Sequence, residues 1–148
     1  MPGIGKKRIL KSLNLEISRA KRFGYYVGVL LLDVAETTPR GIHKHLPGIT
    51  VSVRHFRSLL RDYDIVVKTR LRRYSVILPH LSESESARLV RDRILSTSKI
   101  RDWGSVNVGI AIFPVHGKNS RELLKAAERD LQASLELKIE DENALQNA

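Results

Sequence analysis

The stretch DIVVKTRLRRYSVILP, residues 64–79, decides the fold. Two apolar runs, DIVVKT and YSVILP, flank the short insert RLRR. Such runs read as strands, and so short a connection reads as a hairpin. Tight turns favour Gly, Asn or Asp, which reach positive φ at low cost. This turn instead carries Arg70, Leu71, Arg72 and Arg73.

Outward from the hairpin, the chain divides into short elements. Upstream, Ile49, Val53, Phe56 and Leu60 recur at helical spacing over 49–61. Before them, residues 35–50 hold Pro39, Gly41, Pro47 and Gly48, which predicts a loop. YVGVLLLDV, 26–34, is a continuous apolar run between Gly24 and Asp33, which predicts a buried strand. Residues 6–22 place Ile9, Leu13, Ile17 and Ala20 three or four apart among lysines and arginines, an amphipathic helix. Downstream, Ser82 stands three residues before Glu85, a capping-box spacing, ahead of a helix whose buried side is Leu89, Val90 and Ile94. SVNVGIAIF, 105–113, alternates Val106, Val108, Ile110 and Ile112 with smaller residues, the period of a strand. Asn119 with Glu122 caps a last helix that turns Leu123, Leu124, Ala127 and Leu131 inward. The tail EDENALQNA, about 140–148, has no apolar period and is expected to fray.

Between the first and last helices the order is β-α-β-β-α-β. That is the ferredoxin-like order, an α+β fold (an α/β sandwich): an antiparallel sheet with helices packed on one face, here with added N- and C-terminal helices. The 148 residues suit one domain, 1–148, with one core. Hydrophobic residues at 42% and charged residues at 28% are an ordinary globular balance. The absence of cysteine excludes disulfides, thiol catalysis and thiolate metal sites, and fits a reducing cytoplasm. The longest apolar run, YYVGVLLL, is too short to span a bilayer. A formal charge of +10 predicts attraction to nucleic acid, a nucleotide or an anionic surface, unless the basic surface serves solubility alone.

With these elements in place, RDYDIVVKTRLRRYSVILP resembles the GGDEF domain of diguanylate cyclases, with RLRRY, 70–74, where that family has GGDEF. GIGKKRIL, VLLLDV, ARLVRDRI, VNVGIAIFPVHG and ELLKAAERDLQASL resemble further family segments in the same order, over nearly the whole chain. The resemblance implies condensation of two GTP molecules into cyclic di-GMP, a phosphoryl transfer that rests on positioning and divalent metal. It also implies which positions carry that chemistry. The two turn glycines, which let the backbone approach the nucleotide, are Arg70 and Leu71. The acidic pair that supplies a metal ligand and the catalytic carboxylate is Arg72 and Arg73, and Tyr74 takes the last position. Asp33 matches the metal-binding aspartate of the first strand. The loop at 34–50 lacks the expected guanine-contacting Asn and Asp, and the phosphate-binding lysine aligns with Leu135. A cation at a ligand position repels Mg²⁺, and one carboxylate is a poor magnesium site. The expectation is a catalytically inactive domain with neither cofactor nor metal.

One motif of the family is kept. Arg61 and Asp64 form the R-x-x-D of the inhibitory product site, with residues 65–69 between it and Arg70, and Arg93 aligns with the arginine that completes that site. The resemblance implies binding of cyclic di-GMP. Arginine forks suit phosphate and the guanine O6/N7 edge, and a carboxylate accepts from guanine's N–H donors. These residues are expected at a helix end in an exposed loop. The plain alternative is an exposed Arg61–Asp64 ion pair worth under about 1 kcal/mol. The functional alternative is a dimerisation or docking module in a signalling protein, its arginine-bearing hairpin against an acidic surface. Asp33 alone motivates residual enzyme activity. His43 and His45 read as solvated loop residues rather than metal ligands. Lys68, Arg70, Arg72 and Arg73 could attract nucleic acid, but the strands lack the stacking aromatics that RNA-recognition domains need. Trp103 and Phe113 read as packing residues.

Overall fold

The computed structural model describes residues 3–35 and 53–147. In chain order the elements are α1 (Ile4–Phe23), β1 (Tyr26–Ala35), α2 (Val53–Arg57), β2 (Ile65–Arg70), β3 (Arg73–Leu81), α3 (Glu85–Ile100), β4 (Ser105–Phe113) and α4 (Ser120–Gln146). The four strands form one antiparallel sheet in the order β2-β3-β1-β4. This is the ferredoxin-like arrangement the element order predicts.

The sheet is covered on both faces, not one. Successive side chains of β1 alternate between the faces. Leu30, Leu32 and Val34 join Phe56 of α2 and Ala87 and Ile94 of α3 in one core layer. Val27 and Val29 join Ile9, Leu13, Ile17 and Ala20 of α1 and Leu123 and Ala127 of α4 in the other. The terminal helices therefore supply the second layer. Each presents the 3.6-period apolar stripe that a sheet face requires. Gly109 sets how close α4 lies to β4: a Cβ there would stand 2.2 Å from the Ala127 carbonyl oxygen and 2.6 Å from the Leu131 Cβ. Asp130 Oδ2 then accepts from the Ile110 amide at 2.9 Å, satisfying a donor on the outer edge of β4.

Asn119 caps α4 as its spacing predicts, its Oδ1 accepting from Glu122 N at 2.9 Å. Glu122 in turn accepts from Lys118 N at 2.8 Å. Three expectations are corrected. The α3 N-cap is Ser84, without a side-chain hydrogen bond, so Ser82 forms no capping box. Leu89 is 64% exposed, because α3 meets the sheet through Ala87, Ile94 and Ser98, and Leu89 lies off that line. The segment from Glu140 to Gln146 continues α4 rather than losing helical structure. The loop at 35–50, with His43 and His45, lies outside the described residues apart from Ala35, which ends β1. Of the helix read over 49–61, Val53–Arg57 is helical and the first four positions are also outside.

Candidate functional site

The hairpin closes through Leu71 and Arg72, with Arg70 opposite Arg73 and a register shift between Lys68 and Arg70. Arg72 has φ 63°, a left-handed conformation that costs a non-glycine residue about 1 kcal/mol. Its carbonyl accepts from Val34 N at 2.9 Å, tying the turn to the end of β1. Arg70, Leu71 and Arg72 project into solvent, Leu71 with 77% exposure.

Arg73 does not. Strand pairing sets it directly across from Asp33. Asp33 follows Val29 and Leu31 on the sheet face that α4 covers, so the pair lies under that helix. Arg73 Nε lies 2.8 Å from Asp33 Oδ2, and its Nη1 donates to Glu128 Oε1 of α4 at 3.3 Å. The guanidinium thus bridges the two carboxylates that meet at this end of the sheet. A guanidinium held between two carboxylates does not fit a divalent cation, which needs open carboxylate oxygens. Among the described residues, no set of three His, Asp or Glu side chains converges to hold a metal ion. Tyr74 is buried against Phe56, ring centroids 5.0 Å apart, and belongs to the core. Leu135 is half-buried on α4. Glu128 was not singled out by the sequence. Its signal was an acid beside the inward-facing Leu124, Ala127 and Leu131, but its partner is 55 residues away.

The R-x-x-D pair lies at the opposite end of the sheet, where α2 leads into β2. The structure brings Arg61 and Asp64 together but not in the exposed setting expected. The Asp64 side chain is 1% exposed and that of Arg61 39%. Asp64 Oδ2 accepts from the Arg61 amide at 2.8 Å, and Oδ1 from Arg61 Nη2 at 2.8 Å. Arg61 Nε spans both oxygens at 3.2 Å. Nη2 also donates to the Pro79 carbonyl at 2.9 Å, and Nη1 to the Tyr63 hydroxyl at 2.6 Å. Four of the five N–H donors of a guanidinium are therefore engaged within the protein. Burial would lower the Arg61 pKa, but hydrogen bonding to Asp64 and its charge outweigh that and raise it above the ordinary value. Arg57 donates to the Arg61 and Asp64 carbonyls and closes the loop from beneath.

On the solvent side the Arg61 guanidinium lies over the Tyr63 ring, 4.4 Å from its centroid, and His80 meets that ring edge-on at 6.1 Å. Arg57, Tyr63 and Pro79 escaped the motif reading. Only Tyr63, inside R-D-Y-D, carried a local signal. Arg93 is exposed on α3, and no hydrogen bond or ion pair among the described residues joins it to Arg61 or Asp64. Trp103 is buried, edge-on to Phe56 at 5.6 Å, and Phe113 lies in the core layer under α1 and α4.

No family model matches the chain, and no curated protein matches it. Solved structures do. The GGDEF domain of YfiN (TpbB) from Pseudomonas aeruginosa matches with a TM-score of 0.73 at 23% identity, over 86% of this chain and 87% of that one. A sensory box/GGDEF family protein from Caulobacter crescentus matches with a TM-score of 0.66 at 16% identity, over 88% and 92%. The diguanylate cyclase SiaD of Pseudomonas aeruginosa, solved with its activator SiaC, matches with a TM-score of 0.66 at 17% identity. That match covers 88% of this chain and 54% of SiaD. Both layers and the strand order described above are thus those of a known architecture, and the fold of this chain is that of the GGDEF domains.

Proposed function

We propose that this domain is a catalytically silent regulatory module of the GGDEF fold, acting through association with protein rather than by condensing GTP. One observation carries this reading: the Arg73 guanidinium sits between Asp33 and Glu128. Phosphoryl transfer between nucleotides needs divalent cations to neutralise phosphate charge, and here a fixed protein cation takes up Asp33, the carboxylate the resemblance gives to the metal, together with Glu128 beside it. Arg70 and Leu71, in place of small turn residues, add bulk at the approach to the same end. A role in protein association accords with SiaD, a diguanylate cyclase solved bound to an activator protein. The test is incubation with GTP and Mg²⁺ or Mn²⁺, followed by chromatographic detection of cyclic di-GMP. No product is expected, and turnover would overturn the reading.

A second reading, reception of cyclic di-GMP at Arg61, Asp64 and Arg93, has its own support. The Arg61–Tyr63 stack, with Tyr63 53% exposed, offers a flat surface on which a guanine base can lie. Against it stands Asp64, whose carboxylate oxygens already accept from Arg61. Calorimetric titration separates the two. The association reading predicts no heat with cyclic di-GMP. Saturable binding that Arg93→Ala abolishes, and that GTP does not reproduce, would establish the receptor instead. Arg93 is exposed and, among the described residues, joins no hydrogen bond or ion pair, so that variant leaves the fold intact.

A further inference from the structure

Helix α1 has two unlike sides. Ile9, Leu13, Ile17 and Ala20 are buried in the layer it forms against the sheet. The rest of the helix is basic from end to end: Lys6, Lys7, Arg8, Lys11, Lys21 and Arg22 are all exposed. The only acid of α1, Glu16, is buried and bonded to Arg19 at 3.0 Å. Among the described residues, no ion pair engages any of these exposed cations. A helix of 20 residues is about 30 Å long, so the cations form an extended band that no exposed acid of α1 neutralises.

Large apolar side chains stand among these cations. Ile4, Lys11, Leu15, Ser18 and Arg22 recur at helical spacing along the line that faces away from Leu13 and Ala20. On that line Ile4 is 88% exposed and Leu15 52%. Phe23 ends the helix, 66% exposed, with the Arg22 guanidinium 5.5 Å from its ring centroid. The start of α1 abuts the arginine hairpin: a Cβ on Gly5 would come within 2.4 Å of the Lys68 carbonyl oxygen. Leu71, 77% exposed between the exposed Arg70 and Arg72, therefore stands at the Ile4 end of the helix. The exposed acids of this layer belong to the other helix. α4, which carries Glu136, Glu140, Asp141 and Glu142, lies over β4 and β1, whereas α1 lies mainly over β2 and β3.

We infer that the outer face of α1 docks on an anionic lipid bilayer, with the helix lying along the membrane surface and the tip of the hairpin beside it. A layer of anionic headgroups is a continuous plane of charge, which meets cations along the whole helix rather than at one point. Ile4, Leu15 and Leu71 gain by entering the boundary between headgroups and acyl chains, where a nucleic-acid backbone offers them nothing. No aromatic ring stands between Ile4 and Arg22 on that line for bases to stack on. Most of the cations are lysines, which are depleted where proteins bury surface against one another. At a bilayer the lysine stem covers apolar surface while the ammonium stays among the headgroups. The contact is peripheral: no described helix is long and apolar enough to cross a membrane. Docking of this kind neither needs nor excludes the protein association proposed above, and it does not depend on the state of the Asp33 end.

Co-sedimentation with sucrose-loaded vesicles is the test. Binding is expected to an equal mixture of phosphatidylcholine and phosphatidylglycerol, not to phosphatidylcholine alone, and should weaken as salt rises. K7E/K11E should weaken it about twentyfold or more, since each cation at an anionic surface contributes about fivefold. K99E/R101E makes the same change of net charge at the end of α3 and should cost far less. Leu15→Ser should weaken binding about threefold, through lost apolar contact. Circular dichroism should be unchanged in all three variants, because every altered side chain is exposed. A wild-type chain that ignores the anionic vesicles at low salt would overturn the inference. Equal losses in K7E/K11E and K99E/R101E would also overturn it, since net charge rather than this face would then act. A chain that leaves vesicles alone but retains a single-stranded oligonucleotide through Lys7 and Lys11 would give the face to nucleic acid instead.

Discussion

Two arginine–carboxylate centres sit at opposite ends of the same sheet, and burial separates them. Arg61 and Asp64 are three residues apart, and the acid is 1% exposed, with hydrogen bonds to both of its oxygens. Arg73, Asp33 and Glu128 come from two strands and a helix, and their side chains are 22%, 22% and 42% exposed. The first centre shapes a loop: its bonds tie Arg61 to Asp64 and to the Pro79 carbonyl. The second neutralises charge where two carboxylates would otherwise face each other. The pair expected to bind a ligand is thus bonded within the protein, and Arg73 places an internal cation between two carboxylates.

The largest expected effect follows from that contrast. Asp64→Ala removes the acceptor for the Arg61 amide and guanidinium and leaves both short of partners under the loop. Breaking a well-buried pair from one side costs about 3–5 kcal/mol; with Arg61 partly exposed, about 2–3 kcal/mol is expected. Arg61→Lys should recover little of an Arg61→Ala loss, because an ammonium cannot span both oxygens and the Pro79 carbonyl. Chemical denaturation measures both. A stable Asp64→Ala protein would make the pair a spectator in folding.

The second expectation sharpens the other half. Arg73→Glu replaces the bridging cation with a third carboxylate beside Asp33 and Glu128. Loss of the bridge plus repulsion should cost about 1–2 kcal/mol in the presence of a chelator. Added Mg²⁺ or Mn²⁺ should recover part of it, since a hard cation takes several oxygens. The wild-type melting temperature should not respond to either ion. A wild-type chain stabilised by Mg²⁺ would show that Arg73 does not close this end.

What the sequence disclosed follows the range of each interaction. The hairpin, the alternation of β4 and the Asn119 cap depend on residues at most a few positions apart, and the structure has all three. The resemblance aligned Asp33 and Arg73 with one functional centre, but it could not say that they touch. Their contact depends on the β1–β3 register, and Glu128 joins only because α4 crosses that register above Gly109. The misplacing of Leu89 has the same origin: helical period fixes the spacing of a buried stripe, but which stripe faces the sheet is set by the helix's approach. Burial of Asp64 was missed because the loop is tied by bonds from Arg57 and to Tyr63 and Pro79, and only Tyr63 lies within the motif.

The smallest expected effect tests burial most directly. Glu128→Gln removes the charge of the most exposed member of the second centre, whose bonds to Arg73 run at 3.3 and 3.5 Å. A pair of that exposure is worth about 0.5 kcal/mol or less, since water and ions already screen it. The amide oxygen can still accept from Arg73, and Gln132 still reaches this side chain. Added salt should erase the difference between wild type and Glu128→Gln, because the Debye length falls to about 3 Å at 1 M. Salt should leave the cost of Asp64→Ala nearly unchanged, because ions do not enter the space between a buried carboxylate and the groups bonded to it. Equal salt sensitivity at the two ends would mean that Asp64 is solvated, and the distinction between a structural tie and a charge neutraliser would fail.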